Sequence, residues 1–130
     1  MKLKIVTIFC GLSMLLYNCK GEVDNTMKLI TVEEMQTLSK RNGVQLVDIR
    51  TPSEFSEGYI INAQNMDYWS PDFDKRIETL DKSKPIIIYC KSGGRSAKCA
   101  VQLKDKGFVE IYDLKGGISE WKLQGMPIEK

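Results

Sequence analysis

None of the 130 residues is histidine. Ser-His-Asp triads, Cys-His proteases and His-ligated zinc sites are therefore excluded within this chain. Any acid or base has to come from Asp, Glu, Lys, Tyr, Cys or water. An excess of either charge is also lacking. Of 19 basic residues, Lys2 and Lys4 fall in a leader-like stretch, and the remainder balances the 17 acidic residues. Such a chain has no general attraction for nucleic acid or an acidic membrane surface, although local anion binding stays open. Cysteine is sparse in the part that should fold. Cys10 and Cys19 belong to the N-terminal segment, which leaves Cys90 and Cys99. Internal repeats and low-complexity segments are absent too. What is present is ordinary: 42% hydrophobic and 28% charged residues suit one globular domain rather than a disordered chain.

The N-terminus has the order of a targeting segment. Lys2 and Lys4 supply a positive start, and Ile5 to Leu16 are mostly apolar. That run is shorter than the roughly 20 residues that cross a bilayer comfortably. Leu16-Tyr17-Asn18-Cys19 then resembles a bacterial lipoprotein lipobox. The resemblance implies a signal peptide over residues 1–18, lipidation of Cys19, and anchoring to a membrane of the cell envelope. Tyr17 and Asn18 depart from the small residues usual there, so an ordinary secretory signal or an uncleaved anchor stays open. Residues 19–26 read as a polar tether, and 27–130 as the folded domain.

Pro85 to Ser96 is the most informative stretch. Ile86 to Tyr89 is apolar, as in a strand buried on both faces of a parallel sheet. Ala97, Cys99, Ala100, Val101 and Leu103 fit a helix beginning about Ser96 and closed by Gly107. Gly93 and Gly94 permit a tight loop whose backbone N–H groups share one centre. Cys90 stands at that centre, just before a helix N-terminus. The amides, the helix dipole, Lys91 and Arg95 all favour a thiolate. The alternative is a core cysteine followed by a glycine-rich turn. Cys99, on the following helix, reads as packing, since bridging it to Cys90 would distort the strand-loop-helix unit. A reduced thiol in an exported protein needs a reason, and chemistry at Cys90 supplies one.

The rest of the domain alternates strand and helix. Met27 to Ile30 reads as an edge strand. Thr31-Val32-Glu33-Glu34 is a capping box for a helix running to about Lys40. Val44 to Ile49 is a strand, followed by a turn at Arg50 to Ser53 and a brief helix ended by Gly58. Tyr59 to Met66 reads as mostly extended, with Ile60 and Ile61 buried. A helix opened by Ser70-Pro71-Asp72 carries Phe73, Ile77 and Leu80 on one face. Val109 to Leu114 is a strand, Lys115-Gly116-Gly117 a turn, and Ile118 to Leu123 a helix carrying Trp121. The tail at Met126 to Ile128 should pack back on the domain. The pattern predicts an α/β fold: a central parallel sheet of about five strands with helices on both faces. Asp48 to Arg50, Cys90 to Arg95 and Lys115 to Gly117 each follow a strand, so they should meet at the carboxyl edge of the sheet.

Four segments together resemble the rhodanese (sulfurtransferase) family. They are Leu46-Val47-Asp48-Ile49-Arg50-Thr51-Pro52-Ser53-Glu54-Phe55, Gly58-Tyr59-Ile60-Ile61-Asn62-Ala63, Cys90-Lys91-Ser92-Gly93-Gly94-Arg95-Ser96, and Leu114-Lys115-Gly116-Gly117-Ile118 with Trp121. The family usually has Gly-His-Ile-x-Gly-Ala in the second, so Tyr59 and Asn62 depart from it. The resemblance implies a rhodanese-like fold and transfer of a sulfane sulfur from a donor such as thiosulfate, through a Cys90 persulfide, to a thiol or cyanide. Lys91, Ser92, Gly93, Gly94, Arg95 and Ser96 would bind the sulfur and its donor. Lys91 read alone is equally a solvated surface charge. Asp48 and Arg50 would be secondary, with Arg50 pairing Glu54 or another carboxylate. Trp69 and Tyr68 are candidates for the pocket rim. The resemblance implies no cofactor and no metal. Implied partners are a small anionic sulfur donor and a thiol or protein acceptor, with the chain monomeric. Two rivals stay in view: a membrane-tethered persulfide carrier or binding module with little turnover, and a cysteine phosphatase. Against the latter, Cys90 to Arg95 is one residue shorter than the Cys-x5-Arg loop that wraps a phosphate.

Overall fold

Short apolar strands that alternate with amphipathic helices bury both faces of one sheet, and the computed structural model, which describes residues 23–130, has that arrangement. The signal segment 1–18, Cys19 and the beginning of the tether lie outside the described residues. The strands are β1 (Met27–Ile30), β2 (Gln45–Asp48), β3 (Gln64–Asn65), β4 (Ile86–Tyr89) and β5 (Ile111–Leu114). They lie in the order β1-β5-β4-β2-β3 with every neighbouring pair parallel. The helices are α1 (Val32–Leu38), α2 (Pro52–Ser56), α3 (Phe73–Ile77), α4 (Gly94–Asp105) and α5 (Gly117–Leu123).

Because side chains alternate across a strand, β2, β4 and β5 each feed two cores. Val47, Ile49, Ile86, Ile88, Cys90 and Ile111 pack with Phe73 and Ile77 of α3 and with Cys99, Ala100 and Leu103 of α4. On the opposite face, Leu46, Ile87, Tyr89, Tyr112 and Leu114 pack with Val32 and Met35 of α1 and Ile118 and Trp121 of α5. All four residues of β4 are buried, as befits the middle strand. The tail closes the second face: Met126 and Ile128 pack on it, and Trp121 Nε1 donates to the Pro127 carbonyl at 2.9 Å.

Local chemistry sets the element ends. Both α1 and α2 begin with a reciprocal capping box, Thr31 with Glu34 and Thr51 with Glu54. The second box starts α2 at Pro52, where the sequence suggests a turn through Ser53. Other stretches also differ. The chain from Tyr59 to Met66 forms only the two-residue strand β3, and Ile61 is 50% exposed rather than buried. Asn62 sits in the left-handed region at φ 67°, which turns the chain away from an extended path. That conformation suits glycine, the family's usual residue there, and asparagine tolerates it better than most others. Tyr59 stacks on Phe55 with ring centroids 4.1 Å apart. Strand β5 begins at Ile111, and Val109 stays exposed in the approach to it.

Candidate active site

Strand β4 ends at Tyr89, and the next residue, Cys90, turns its sulfur toward the core shared with α4. Gly93 takes φ 113° and stands as N-cap of α4. That backbone brings its amide to 3.1 Å from Cys90 Sγ. A β-carbon at this φ would be strained, so glycine makes the turn possible. Ser96, in the first turn of α4 and fully buried, brings its Oγ to 3.5 Å from Sγ and donates to the Gly93 carbonyl at 3.3 Å. Burial pushes the Cys90 thiol up. The Ser96 hydroxyl and the amides of Ser96, Gly93 and Ser92 more than reverse this, holding the thiol below its ordinary value. The N-terminus of a helix twelve residues long adds its dipole in the same direction.

The loop is held from behind by α5. The amides of Ile118 and Ser119 donate to the carbonyls of Cys90 and Lys91 at 2.9 and 3.0 Å. Gly117 permits this approach: at φ 60°, a β-carbon there would stand 2.5 Å from the Cys90 carbonyl oxygen and 2.6 Å from that of Lys91. The turn after β5 thus meets the loop after β4, at the sheet edge where the sequence places both.

The rim differs from the interior. Lys91, Ser92 and Gly94 are exposed, while Cys90 itself is only 1% exposed. A reagent therefore reaches the sulfur through the loop, not across an open surface. Arg95 is engaged: its Nη1 and Nη2 donate to Glu54 at 2.8 and 2.7 Å, and its guanidinium lies 4.7 Å from the Trp69 ring. This hydrogen-bonded pair pulls the Glu54 carboxyl down to about 2, with burial opposing and Thr51 adding to the effect. Trp69 is 66% exposed and Tyr68 packs edge-on against Phe73. Trp69 alone of the two covers an element of the loop.

Asp48 and Arg50 form a separate, buried unit. The Arg50 side chain binds both carboxylate oxygens of Asp48 and also donates to the Gly58 carbonyl at 2.8 Å. Arg50 thus pairs with Asp48, two residues away, whereas Glu54 is taken by Arg95. The Asp48–Arg50 pair braces the turn from β2 to α2, and its carboxylate faces the side of the sheet opposite Cys90. Both domain cysteines are free. Cys99 is fully buried, and burial, with Asp113 and Cys90 nearby, pushes its thiol up to about 12. Among the described residues no group of three or more Cys, Asp or Glu side chains is arranged to hold a metal ion.

Comparison with known proteins places this geometry. Residues 31–124 match the rhodanese-like domain family. The chain belongs to that family. It is 37% identical over 95 residues to thiosulfate sulfurtransferase 16 of Arabidopsis thaliana chloroplasts, a match covering 65% of this chain and 79% of the relative. It is 36% identical, also over 95 residues, to the uncharacterized protein YqhL of Bacillus subtilis, covering 73% and 72%. The solution structure of the homodimeric polysulfide-sulfur transferase from Wolinella succinogenes superposes with a TM-score of 0.67 at 26% identity, covering 82% of this chain and 80% of that one. The rhodanese-like architecture and its parallel sheet are thus those of the chain's relatives.

Glu54, at the rhodanese-like site, and Asp113, buried on the neighbouring β5, were not singled out by sequence. Glu54 looks like a capping residue, and it is one; its second role, holding Arg95, spans 41 positions. Asp113 carries a stronger signal. It is an acid inside an apolar strand of a sheet covered on both faces, where an unpaired charge is costly.

Proposed function

We propose that this rhodanese-like chain is a sulfurtransferase in which Cys90 carries the transferred sulfur. The Cys90 thiolate attacks the outer sulfur of thiosulfate, the S–S bond of the donor breaks, and sulfite leaves with the electron pair. A cyanide or thiolate acceptor then attacks the outer sulfur of the Cys90 persulfide, and Cys90 departs as the thiolate. Splitting one transfer into two displacements is nucleophilic catalysis. The observation that carries the reading is the meeting of Sγ with the Gly93 amide and Ser96 hydroxyl at the head of α4. Those donors favour the thiolate and can hold the charge that moves to the outer sulfur. Lys91 and the loop amides to Ser96 form the entrance. Arg95 reaches an anionic donor only by sharing or leaving Glu54. After thiosulfate treatment, mass spectrometry of the Cys90 peptide should show one added sulfur; an unmodified peptide under conditions that alkylate Cys90 would overturn the assignment.

The cover over Cys90 favours a second reading, a persulfide carrier that loads once and hands sulfur to a thiol or protein acceptor. Steady-state cyanide turnover separates catalyst from carrier. A phosphatase fits less well, because the Cys-x4-Arg loop is short and its arginine is already paired. The chain is proposed to act as a monomer that needs no cofactor. We further propose that cleavage after residue 18 leaves Cys19 lipidated, tethering the domain to a membrane on the periplasmic side or at the outer membrane. The ordered positive, apolar and cysteine-ending segments support this. Fatty-acid labelling that is lost in Cys19→Ser would bear it out, and labelling absent from the unaltered chain would refute it.

A further inference from the structure

We propose that the cleft between β1 and α4 binds a small organic amine with an apolar body, and that Asp113 holds its ammonium group. This site is separate from the chemistry of Cys90. Strand β1 is the edge of the sheet, and α4 packs on β4 and β5. The side chains of Met27 and Leu29 on β1 are therefore left exposed. Between them and the helix lies a cleft of about 230 Å³, lined by Met27, Leu29, Ala97, Ala100, Ile111 and Asp113, with Lys28 at its edge. Asp113 stands opposite Leu29 of β1 and Ile88 of β4. Alternation along β5 puts it with Ile111 on the face that α4 covers. It is 7% exposed, and its Oδ1 is buried with no hydrogen-bond partner.

An unpaired carboxylate on an apolar floor is costly, and an aliphatic residue would fill the same position without that cost. The neighbouring elements do not complete it. Among the described residues no ion pair includes Asp113. On α4, the Ser96 hydroxyl donates to the Gly93 carbonyl, and Cys99 is held as the thiol. On β1, Lys28 pairs in register with Tyr112, so alternation carries its side chain to the opposite face. Burial raises the Asp113 carboxyl to about 6, which still leaves most of it ionised at neutral pH. The missing partner is a positively charged hydrogen-bond donor, the kind that contributes most to such a contact. Its body has to match aliphatic walls, and an apolar cavity of about 150 Å³ already holds a benzene ring. A metal ion suits the cleft badly, since one carboxylate among aliphatic side chains supplies too few oxygen ligands. A neutral apolar molecule would leave Oδ1 unpaired, and an anion would be repelled.

The test is an NMR titration of the full chain, following its backbone amides, with benzylamine and with benzyl alcohol as the neutral probe of the same shape. Benzylamine should bind in the millimolar range, as suits so small a molecule, and move the amide signals of Leu29, Ala97, Ala100 and Asp113. Benzyl alcohol should bind about tenfold more weakly, because it lacks the charge. Asp113→Asn should bring benzylamine down to the level of the alcohol. Ala97→Leu, at an exposed position of α4, fills the cleft with little effect on the helix and should abolish binding of both probes. Equal binding of amine and alcohol to the unaltered chain would overturn the proposal, as would benzylamine binding that survives Asp113→Asn. Signals that stay in place up to about 50 mM amine, far above a millimolar dissociation constant, would mean that water alone meets Asp113, and would overturn it too. So would binding that persists in Ala97→Leu, since the amine would then sit elsewhere. The comparison of amine with alcohol needs no variant and serves if Asp113→Asn does not fold. None of these readings involves Cys90 or a sulfur donor, so they are independent of the sulfurtransferase reading.

Discussion

Cys90 and Cys99 lie in the same core cluster, both almost wholly out of solvent. Yet they differ as acids. Cys99 is pushed up to about 12, while Cys90 is held below its ordinary value. Burial is the leading influence on both, so burial does not decide the outcome. The deciding factor is what lines the sulfur. Cys99 projects from the middle of α4, where the backbone amides are spent within the helix. Cys90 stands before the helix begins, where the first amides have no partner inside it. A shift in chain position of nine residues thus separates a packing thiol from a nucleophile.

The strongest way to break that comparison is to exchange the two sulfurs for oxygen. Cys90→Ser should abolish the gain of one sulfur after thiosulfate treatment. Cys99→Ser should retain it, at a cost of about 1 kcal/mol in unfolding free energy for placing a hydroxyl in an apolar site. Loading that survives in Cys90→Ser would end the distinction. Next in size is Gly117→Ala. Its β-carbon would collide with the Cys90 and Lys91 carbonyls at a positive φ, so the loop has to move. Thermal denaturation should show a loss of about 3 kcal/mol. In whatever fraction folds, the Cys90 thiol should titrate closer to its ordinary value, while Cys99 stays unreactive.

Ser96→Ala sharpens the comparison by removing one lining group. The Cys90 pKa should rise by about one pH unit, and alkylation at pH 6 should slow about tenfold. The sign follows from the donor lost: the hydroxyl favours the charged form, so its removal favours the thiol. An unchanged profile would leave the amides and the helix dipole as sufficient cause.

Much of this contrast is legible in the chain itself, because it depends on local order. The apolar run Ile86 to Tyr89, the following cysteine and the glycines announce a strand, a sulfur and a helix start in sequence. The capping box at Thr31 is local in the same way. What sequence conceals is any partner chosen by sheet register. Arg95 reaches Glu54 because α2 follows β2, and β2 pairs with β4. No spacing rule across 41 residues reveals that. Asp113 comes to lie opposite Ile88 of β4 because β5 pairs with β4 on the other side. Ile61 and Val109 fit strand patterns by hydrophobicity, yet both are exposed, since each lies beyond the end of its ladder. Asn62 explains the first case, since a left-handed residue ends an extended run.

The Glu54–Arg95 pair tests whether the rim obeys the same logic as the interior. Its side chains are 28% and 16% exposed, so solvent screens the pair only in part. The Glu54 carboxyl lies at about 2 in the folded chain against an ordinary 4.5. A lowered carboxylate contributes stability above its ordinary value, and that contribution disappears as the pH falls from about 4.5 through about 2. Glu54→Gln should therefore cost about 1 kcal/mol at neutral pH and nothing near pH 2. It also frees Arg95 beside the entrance to Cys90. The KM for thiosulfate should fall two- to fivefold, about what a partly screened charge contact is worth, with kcat little changed. A KM that rises instead would mean that Glu54 holds Arg95 in its working position, and that the ion pair itself is the donor-binding element.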